Sequence, residues 1–341
     1  MPELRRDPIT RRWTIIATER AWRPRDFVHD PRGTAEVDTR RPSPFAPGNE
    51  HLTPEEIYAL RPDGSAPNTP GWQVRVIPNK YPVLAVEGGL DPQPEGLYDR
   101  MNGLGAHEVI IESPDPAFKL HRLPSEHLVS ALRVYRDRMA DLRGDFRLKY
   151  SCLFRNQGAA AGASVAHGHA QLVALPVVPP EVQLRLDGSK SWFEVRGRNV
   201  FDDLIRQEVS QGDRLVYDNG TFVVVTPYAS MHPFDMWVIP RAPQSHFDCT
   251  DEGHLSGLAD ALQQALGRLE VGLGDPAWNL MLHTTPYALR GPGDQALPWY
   301  RWHVVIQPKL TQVAGFERGT GTYINPVAPE SAAQFLRGVS P

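Results

Sequence analysis

The chain has 341 residues, with 36 Lys plus Arg against 40 Asp plus Glu and a formal net charge of −4, which speaks against a protein that grips nucleic acid through its overall field, since neutralising phosphates needs a basic surplus or stripe. With 41% hydrophobic and 22% charged residues a sizeable core is feasible, and disorder is excluded as the main state. Two cysteines, Cys152 and Cys249, make no disulfide framework, no signal-peptide-like start is present, and no run reaches the ~18 apolar residues that span a bilayer, so we expect a soluble, cytoplasmic, globular protein with no membrane or nucleic-acid partner.

In chain order, Trp13-Thr-Ile-Ile-Ala17 is β-branched and apolar and predicts a strand feeding a polar loop. Residues 32–63 are rich in Pro, Gly and acidic residues and predict a long loop, with at most one short helix near Thr53-Pro-Glu-Glu-Ile57. Strands are predicted at Gln73–Ile77, Glu108–Glu112 and Tyr150–Phe154. Between the second and third, Leu128, Leu132, Tyr135, Met139 and Leu142 recur at helical spacing, with Ser125 placed to cap the helix. A further strand, His169–Ala174, closes at Pro176.

The second half repeats this order. Strands are predicted at Phe222–Thr226 and Asp235–Ile239, then a helix carrying Leu255, Leu258, Leu262, Leu266 and Leu269, then strands Trp278–Leu282 and His303–Ile306. Two strands, a helix and two strands, each time ending in a strand with histidine near its start, predict an internal duplication with a long period. The fold class expected is α+β: two fused units, residues 1–187 and 188–341, whose mainly antiparallel half-sheets share a continuous sheet or barrel-like core with helices packed outside. The junction is the polar stretch 188–219, with one short amphipathic helix carrying Phe201, Leu204 and Ile205.

The sharpest chemical feature is Gly162-Ala-Ser-Val-Ala-His-Gly-His-Ala-Gln171. On a strand, alternate residues share a face, so His167, His169 and Gln171 line one surface. Gly168 and Ala170 between them are small and allow close approach to the backbone. Just upstream, Asn156-Gln-Gly-Ala-Ala-Ala-Gly-Ala-Ser164 is a small-residue loop ending in a hydroxyl, suited to wrapping an anion with backbone N–H groups. An imidazole facing such a loop can attack phosphorus, provided one nitrogen is free and the other donates to a carbonyl.

His167-Gly-His-Ala-Gln171 resembles the signature of the galactose-1-phosphate uridylyltransferase branch of the histidine-triad superfamily. Asp7-Pro8 with Arg20-Ala-Trp-Arg-Pro24, Ile77-Pro-Asn-Lys-Tyr-Pro82, Gly105-Ala-His-Glu-Val109, Phe154-Arg-Asn156, Leu282-His283 and Gly315-Phe-Glu317 carry the likeness along nearly the whole chain in the right order. The resemblance implies two fused histidine-triad units, of which only the first keeps the reactive triad. It implies that His169 is a nucleophile that expels a sugar 1-phosphate from a nucleotide sugar, and that a second sugar 1-phosphate collects the nucleotidyl group. By the same resemblance Gln171 bonds a phosphoryl oxygen, His167 aligns the nucleophile, Asn156 and Ser164 contact phosphates, Arg20 and Arg23 offset their charge, and Asn79 faces the nucleoside. Glu317 holds sugar hydroxyls, supplied from the partner subunit of a homodimer.

The chain also departs from that pattern. Where many relatives carry Cys-Pro-x-Cys as half of a zinc site, it reads Ser43-Pro-Phe-Ala46, and Pro116 stands at the downstream ligand position, leaving His167 alone. A second metal site in some members uses a glutamate and three histidines. Here His283 and His303 survive, Arg301 and Val305 stand at neighbouring in-phase positions, and Glu181 is the carboxylate candidate at a poorly fitting spacing. We therefore expect no cofactor, no structural zinc, and a second site that is absent or weak, with His232 and His246 as structural histidines. Gly319-Thr-Gly-Thr-Tyr-Ile-Asn-Pro326, Ala174–Pro180 and Leu186-Asp-Gly188 resemble a subgroup that includes ADP-glucose phosphorylase-like members. The leading expectation is transfer of UMP from a UDP-hexose to galactose 1-phosphate. The alternative keeps the mechanism with an ADP-sugar, and a third reading is a non-catalytic nucleotide-sugar-binding protein.

Overall fold

A computed structural model describes residues 1–20, 42–290 and 296–341. It opens with an antiparallel pair, β1 (Glu3–Arg6) and β2 (Trp13–Ile16). Then come β3 (Tyr58–Leu60), β4 (Val74–Pro78), the exposed hairpin β5 (Gln93–Glu95) and β6 (Tyr98–Arg100), and β7 (Ala106–Ile111). Helix α1 (Ser125–Leu142) leads to β8 (Tyr150–Gln157) and β9 (His169–Leu175). Two helices, α2 (Pro180–Arg196) and α3 (Val200–Gln211), precede β10 (Leu215–Asp218), β11 (Phe222–Val225) and β12 (Met236–Pro240). The order finishes with α4 (Glu252–Leu273), β13 (Trp278–His283), β14 (His303–Pro308), α5 (Gly315–Thr320), β15 (Tyr323–Asn325) and α6 (Pro329–Arg337).

Ten strands form one antiparallel sheet in the order β10-β11-β12-β14-β13-β8-β9-β7-β4-β3. Read from either edge inward the order repeats: three strands in sequence, then the last strand of the half, then the strand before it. The halves join at β8 and β13, where Phe154 faces Met281 across the pseudo-twofold. The expected duplication and shared sheet are therefore present, and each half gains an edge strand, β3 or β10, too short for the sequence pattern to show.

Alternation along the strands divides the core. Val76, Ile110, Leu153, Leu172, Val224, Val238, Leu280 and Val304 point to one face and meet Leu128, Leu132 and Tyr135 of α1 and Leu258, Leu262 and Leu266 of α4. Each such fully buried side chain stabilises the fold by about 1.5–3 kcal/mol. On the opposite face of the second half, Val223, Val225, Trp237, Ile239 and Val305 pack under Val182 and Leu186 of α2 and Phe201 and Ile205 of α3. The matching face of the first half carries Ile77, Val109 and Ile111 with Trp72 and Phe45, and among the described residues loops lie over it instead of helices.

Several local expectations change. Residues 53–57 are not helical: a single 3₁₀ turn covers Glu50–Leu52, and Thr53 is extended at φ −112° and ψ 163° because Pro54 disfavours the helical region for the residue before it. Ser125 is the first residue of α1, behind Pro124, and its hydroxyl donates to Gln263 at 3.1 Å instead of capping. The stretch near 188–219 is mostly helical, and residues 187 and 188 fall inside α2. The sequence hides α2 because its inner face mixes Val182 and Leu186 with Arg185, Gly188 and Ser189, so no apolar period stands out. Gly188 is required by close approach: a Cβ there would lie 1.7 Å from the carbonyl oxygen of Ile9. Helix α3 is capped by Asn199, which accepts from the Phe201 N–H at 2.9 Å, a bond worth about 1 kcal/mol.

Candidate active site

His169 is the first residue of β9 and His167 stands two residues before it, in the bend that leads into the strand, on the sheet face that loops cover among the described residues. The carbonyl oxygen of Ser113 lies 2.7 Å from His167 Nε2, and that of His167 lies 2.8 Å from His169 Nδ1. A carbonyl only accepts, so each of these nitrogens carries the proton. His169 Nε2 is therefore a lone pair, and no described residue hydrogen-bonds it. His167 Nδ1 is a lone pair too, and Ser43 Oγ donates to it at 3.0 Å. Phe45 sets its edge against both rings, with centroids 6.1 and 5.2 Å away.

Burial is the first cause holding both histidines below the ordinary value of 6.5, and for His169 the nearby Arg155 charge acts in the same direction. The neutral imidazole, which is the nucleophilic form, is thus the resting state near neutral pH. Arg155 lies on the helix side of the strand, paired with Glu112 at 3.0 and 2.9 Å from Nε to the two carboxylate oxygens. The Tyr135 hydroxyl donates to the same carboxylate, and Arg155 Nη1 donates to Gln157 at 2.6 Å. Burying two charges costs several kcal/mol each, which the pairing and these extra bonds offset. The pair abuts Gly168, where a Cβ would lie 2.9 Å from Arg155 Nη2, so the small residue between the histidines does admit a close neighbour.

The other residues of the first half gather along this face. Gln171 places Oε1 2.9 Å from His107 Nε2, and Asn79 Nδ2 lies 3.0 Å from the same nitrogen. With Nδ1 accepting from the Val83 N–H at 3.4 Å, His107 Nε2 carries the proton and donates to Gln171, and Asn79 stands beside that pair. Alternation along β7, which puts His107 on the face of Val109 and Ile111, is the signal that could have singled it out. Asn156 follows Arg155, which pairs with Ala170, and so stands beside His169. Asn279, reaching across from β13, donates to Asn156 Oδ1 at 2.7 Å and to the Ala161 carbonyl at 2.8 Å. The loop between turns at Gly158 and Gly162, with φ of 81° and 92°, and exposes Ser164.

Not every expected residue joins this group. Arg23 and the side chain of Arg20 lie outside the described residues. Glu317 sits in α5, accepts from the Ala314 N–H at 3.1 Å, and acts electrostatically on His232 in the second half. Within one chain it bonds no triad residue.

The second half holds a copy of this arrangement, buried more deeply. His303 Nδ1 donates to the Arg301 carbonyl at 3.1 Å, as His169 does to His167. His303 is fully buried, with Phe201, Trp237 and His283 rings 5.1, 5.3 and 5.2 Å away, and its Nε2 has no hydrogen-bond partner among the described residues. Burial first, and then the charge of Arg185, push its pKa down to about 3.

A family profile described as "Galactose-1-phosphate uridyl transferase, N-terminal domain" matches residues 2–179, and one for a domain of unknown function (DUF4921) matches residues 122–336. ADP-glucose phosphorylase of Arabidopsis thaliana is 38% identical over 99% of this chain and 93% of that protein. The chain belongs to the galactose-1-phosphate uridylyltransferase family. Another member similar to it, galactose-1-phosphate uridylyltransferase of Thermotoga maritima, is 24% identical over 99% of this chain and 98% of that protein. The crystal structure of the Arabidopsis thaliana ADP-glucose phosphorylase with bound ADP-glucose superposes with a TM-score of 0.82, at 34% identity over 100% of both chains.

The family's metals can be tested against the residues present. At the first site the positions are Ser43, Ala46, Pro116 and His167, where a tetrahedral zinc needs about four N, S or O donors. Only His167 offers a nitrogen, and Ser43 already bonds its Nδ1, so these residues do not fit zinc. At the second, Glu181 is turned outward to Arg12, 2.5 Å away. The α2 residue whose charge reaches His283 and His303 is Arg185, a cation that opposes a divalent ion. That donor set does not fit either. His246 Nδ1 bonds the Thr285 hydroxyl, and the His232 ring packs its edge on Tyr323 at 5.3 Å.

Proposed function

We propose that this chain is a nucleotidyltransferase working through a covalent nucleotidyl-His169, with an ADP-hexose as donor and inorganic phosphate as acceptor. The observation that carries the mechanism is His169 itself: Nδ1–H is held by a carbonyl, and Nε2 is a lone pair that no described residue hydrogen-bonds. Nε2 attacks the α-phosphorus, an N–P bond forms, and the bond from that phosphorus to the bridging oxygen breaks. The hexose 1-phosphate leaves with the bond's electron pair and needs no proton. A phosphate oxygen then attacks the same phosphorus, the N–P bond breaks, and ADP departs while His169 returns to its starting tautomer. Gln171 and the loop from Asn156 to Ser164 supply donors to the phosphoryl oxygens, and Arg20 and Arg23 are assigned their negative charge. The adenylyl reading is favoured by the identity of 38% to the plant phosphorylase against 24% to the bacterial uridylyltransferase.

The second reading, UMP transfer between hexose 1-phosphates, is supported by the description of the profile matching residues 2–179. The homodimer belongs to either reading, with Glu317 serving the partner's sugar site. Neither reading calls on a metal or cofactor. The test is the intact mass of the protein after separate incubation with ADP-glucose and UDP-glucose. An AMP-sized adduct discharged by phosphate is expected. A UMP-sized adduct discharged by galactose 1-phosphate moves the assignment to the uridylyltransferase. No adduct from either overturns both, and leaves a nucleotide-sugar-binding protein.

A further inference from the structure

Nδ1 of His167 is met by a hydroxyl, at the place where the family resemblance implies a metal. Three bonds run in series through that hydroxyl. The Phe45 N–H donates to Ser43 Oγ at 3.1 Å, Ser43 donates to His167 Nδ1 at 3.0 Å, and His167 Nε2–H donates to the Ser113 carbonyl at 2.7 Å. Every donor meets an acceptor, so the order of protons along the series is fixed. The amide of Phe45 occupies one lone pair of Ser43 and directs its proton to the imidazole. Asn49 Nδ2 holds the Ser43 backbone by its carbonyl at 2.8 Å.

We propose that Ser43 is a positioning residue for the nucleophile, acting through His167 in place of a metal ion. The inference rests on the nucleotidyl-transfer reading above for its effect on rate, but not for its geometry. A ring anchored at Nε2 alone pivots about that bond. Anchored at both nitrogens, the His167 ring is fixed, and with it the residue whose carbonyl receives His169 Nδ1–H. The orientation of the attacking Nε2 is therefore set two bonds away, at Ser43. Misplacing a reacting group by about 1 Å costs about 10²-fold, and loss of one neutral hydrogen bond costs less, about tenfold.

The experiment has one arm that needs no activity. Nitrogen NMR of histidine-labelled protein is expected to find His167 neutral, protonated at Nε2 and bare at Nδ1, in protein carrying well under one zinc per chain. A proton on Nδ1, or about one zinc per chain that is lost in His167→Ala, overturns the proposal whatever the enzyme does. In the second arm, Ser43→Ala is expected to slow nucleotidyl-His169 formation about tenfold at unchanged melting temperature, and Ser43→Thr to restore most of the rate. A Ser43→Ala rate equal to wild type overturns the role. Absence of any adduct in the wild type fails the functional reading instead, and leaves the NMR and metal results to decide the geometry.

Discussion

His169 and His303 open equivalent strands of the two halves, and in both the Nδ1 proton goes to the carbonyl of the residue two before, at 2.8 and 3.1 Å. The backbone therefore makes the same potential nucleophile twice. What differs is the cover. Over His303 lie Phe201 of α3, Trp237 and His283, with Arg185 of α2 near enough to oppose its protonation. Among the described residues loops lie over the His169 face, and Phe45 and the His169 ring meet edge to face. A duplicated unit has thus covered one face in two ways: with loops in the first half, among the described residues, and with helices in the second. Tautomer control comes with the strand, while reactivity depends on what is packed against it.

The sharpest way to break this comparison is to exchange the fates of the two histidines. His169→Gly is expected to lower nucleotidyl transfer by at least about 10⁴-fold while circular dichroism and melting temperature stay near wild type. Residual transfer at wild-type rate breaks the assignment. Gly188→Ala attacks the cover of the second half instead: the added methyl meets the Ile9 carbonyl, and about 3 kcal/mol of stability should be lost in urea unfolding. Adduct formation below the transition should survive.

His303→Phe keeps the packing and removes the titration. With a folded pKa of about 3 against an ordinary 6.5, His303 stays neutral in the fold while the unfolded chain takes up a proton. Stability is then full above about pH 6.5 and is lost as pH falls, by about 1.4 kcal/mol per unit. The variant should lose about 2 kcal/mol less than wild type between pH 7 and pH 5, and still form the adduct. Asp235, buried and raised to about 8, acts in the opposite sense, losing stability as pH rises through that window. It is unchanged by the substitution and cancels in the difference.

A smaller test reads His169 directly. Its lowered pKa keeps the imidazole neutral below 6.5, so the single-turnover rate should hold through that pH and fall only beneath it. An acid limb centred at or above 6.5 contradicts the burial argument. The smallest effect is expected at the seam between the halves. Asn279→Ala removes two bonds to the loop that begins at Asn156, and should raise the donor KM several-fold with little change in kcat. An unchanged KM would mean that the second half does nothing for the site beyond holding the sheet.

Part of the candidate site was legible because strands alternate: His169 and Gln171 share a face for the same reason that Val109 and Ile111 do, while His167 precedes the strand in a bend. Asn279 was not legible, since it acts across strands whose register no linear pattern reveals, and alternation along β7 marks the face of His107 but not its partners. Helix α2 escaped notice because Arg185, Gly188 and Ser189 fill positions where an amphipathic period would show leucines. The short helix expected at residues 53–57 failed for a local reason, the proline at 54.

By itself the sequence determined the duplication, the α+β class, the strand bearing His169 and the family. The first three follow from short-range periodicity and from residues adjacent along the chain, and the family from the resemblance of its motifs in order. Only the tertiary structure decided which duplicated histidine keeps some exposure, 8% at His169 against none at His303, that Ser43 meets His167 Nδ1, and that Arg185, not Glu181, attends the second histidine pair. Those contacts join residues far apart in sequence, so their energies depend on burial and on the direction of donors and acceptors, which exist only once the sheet has closed around them.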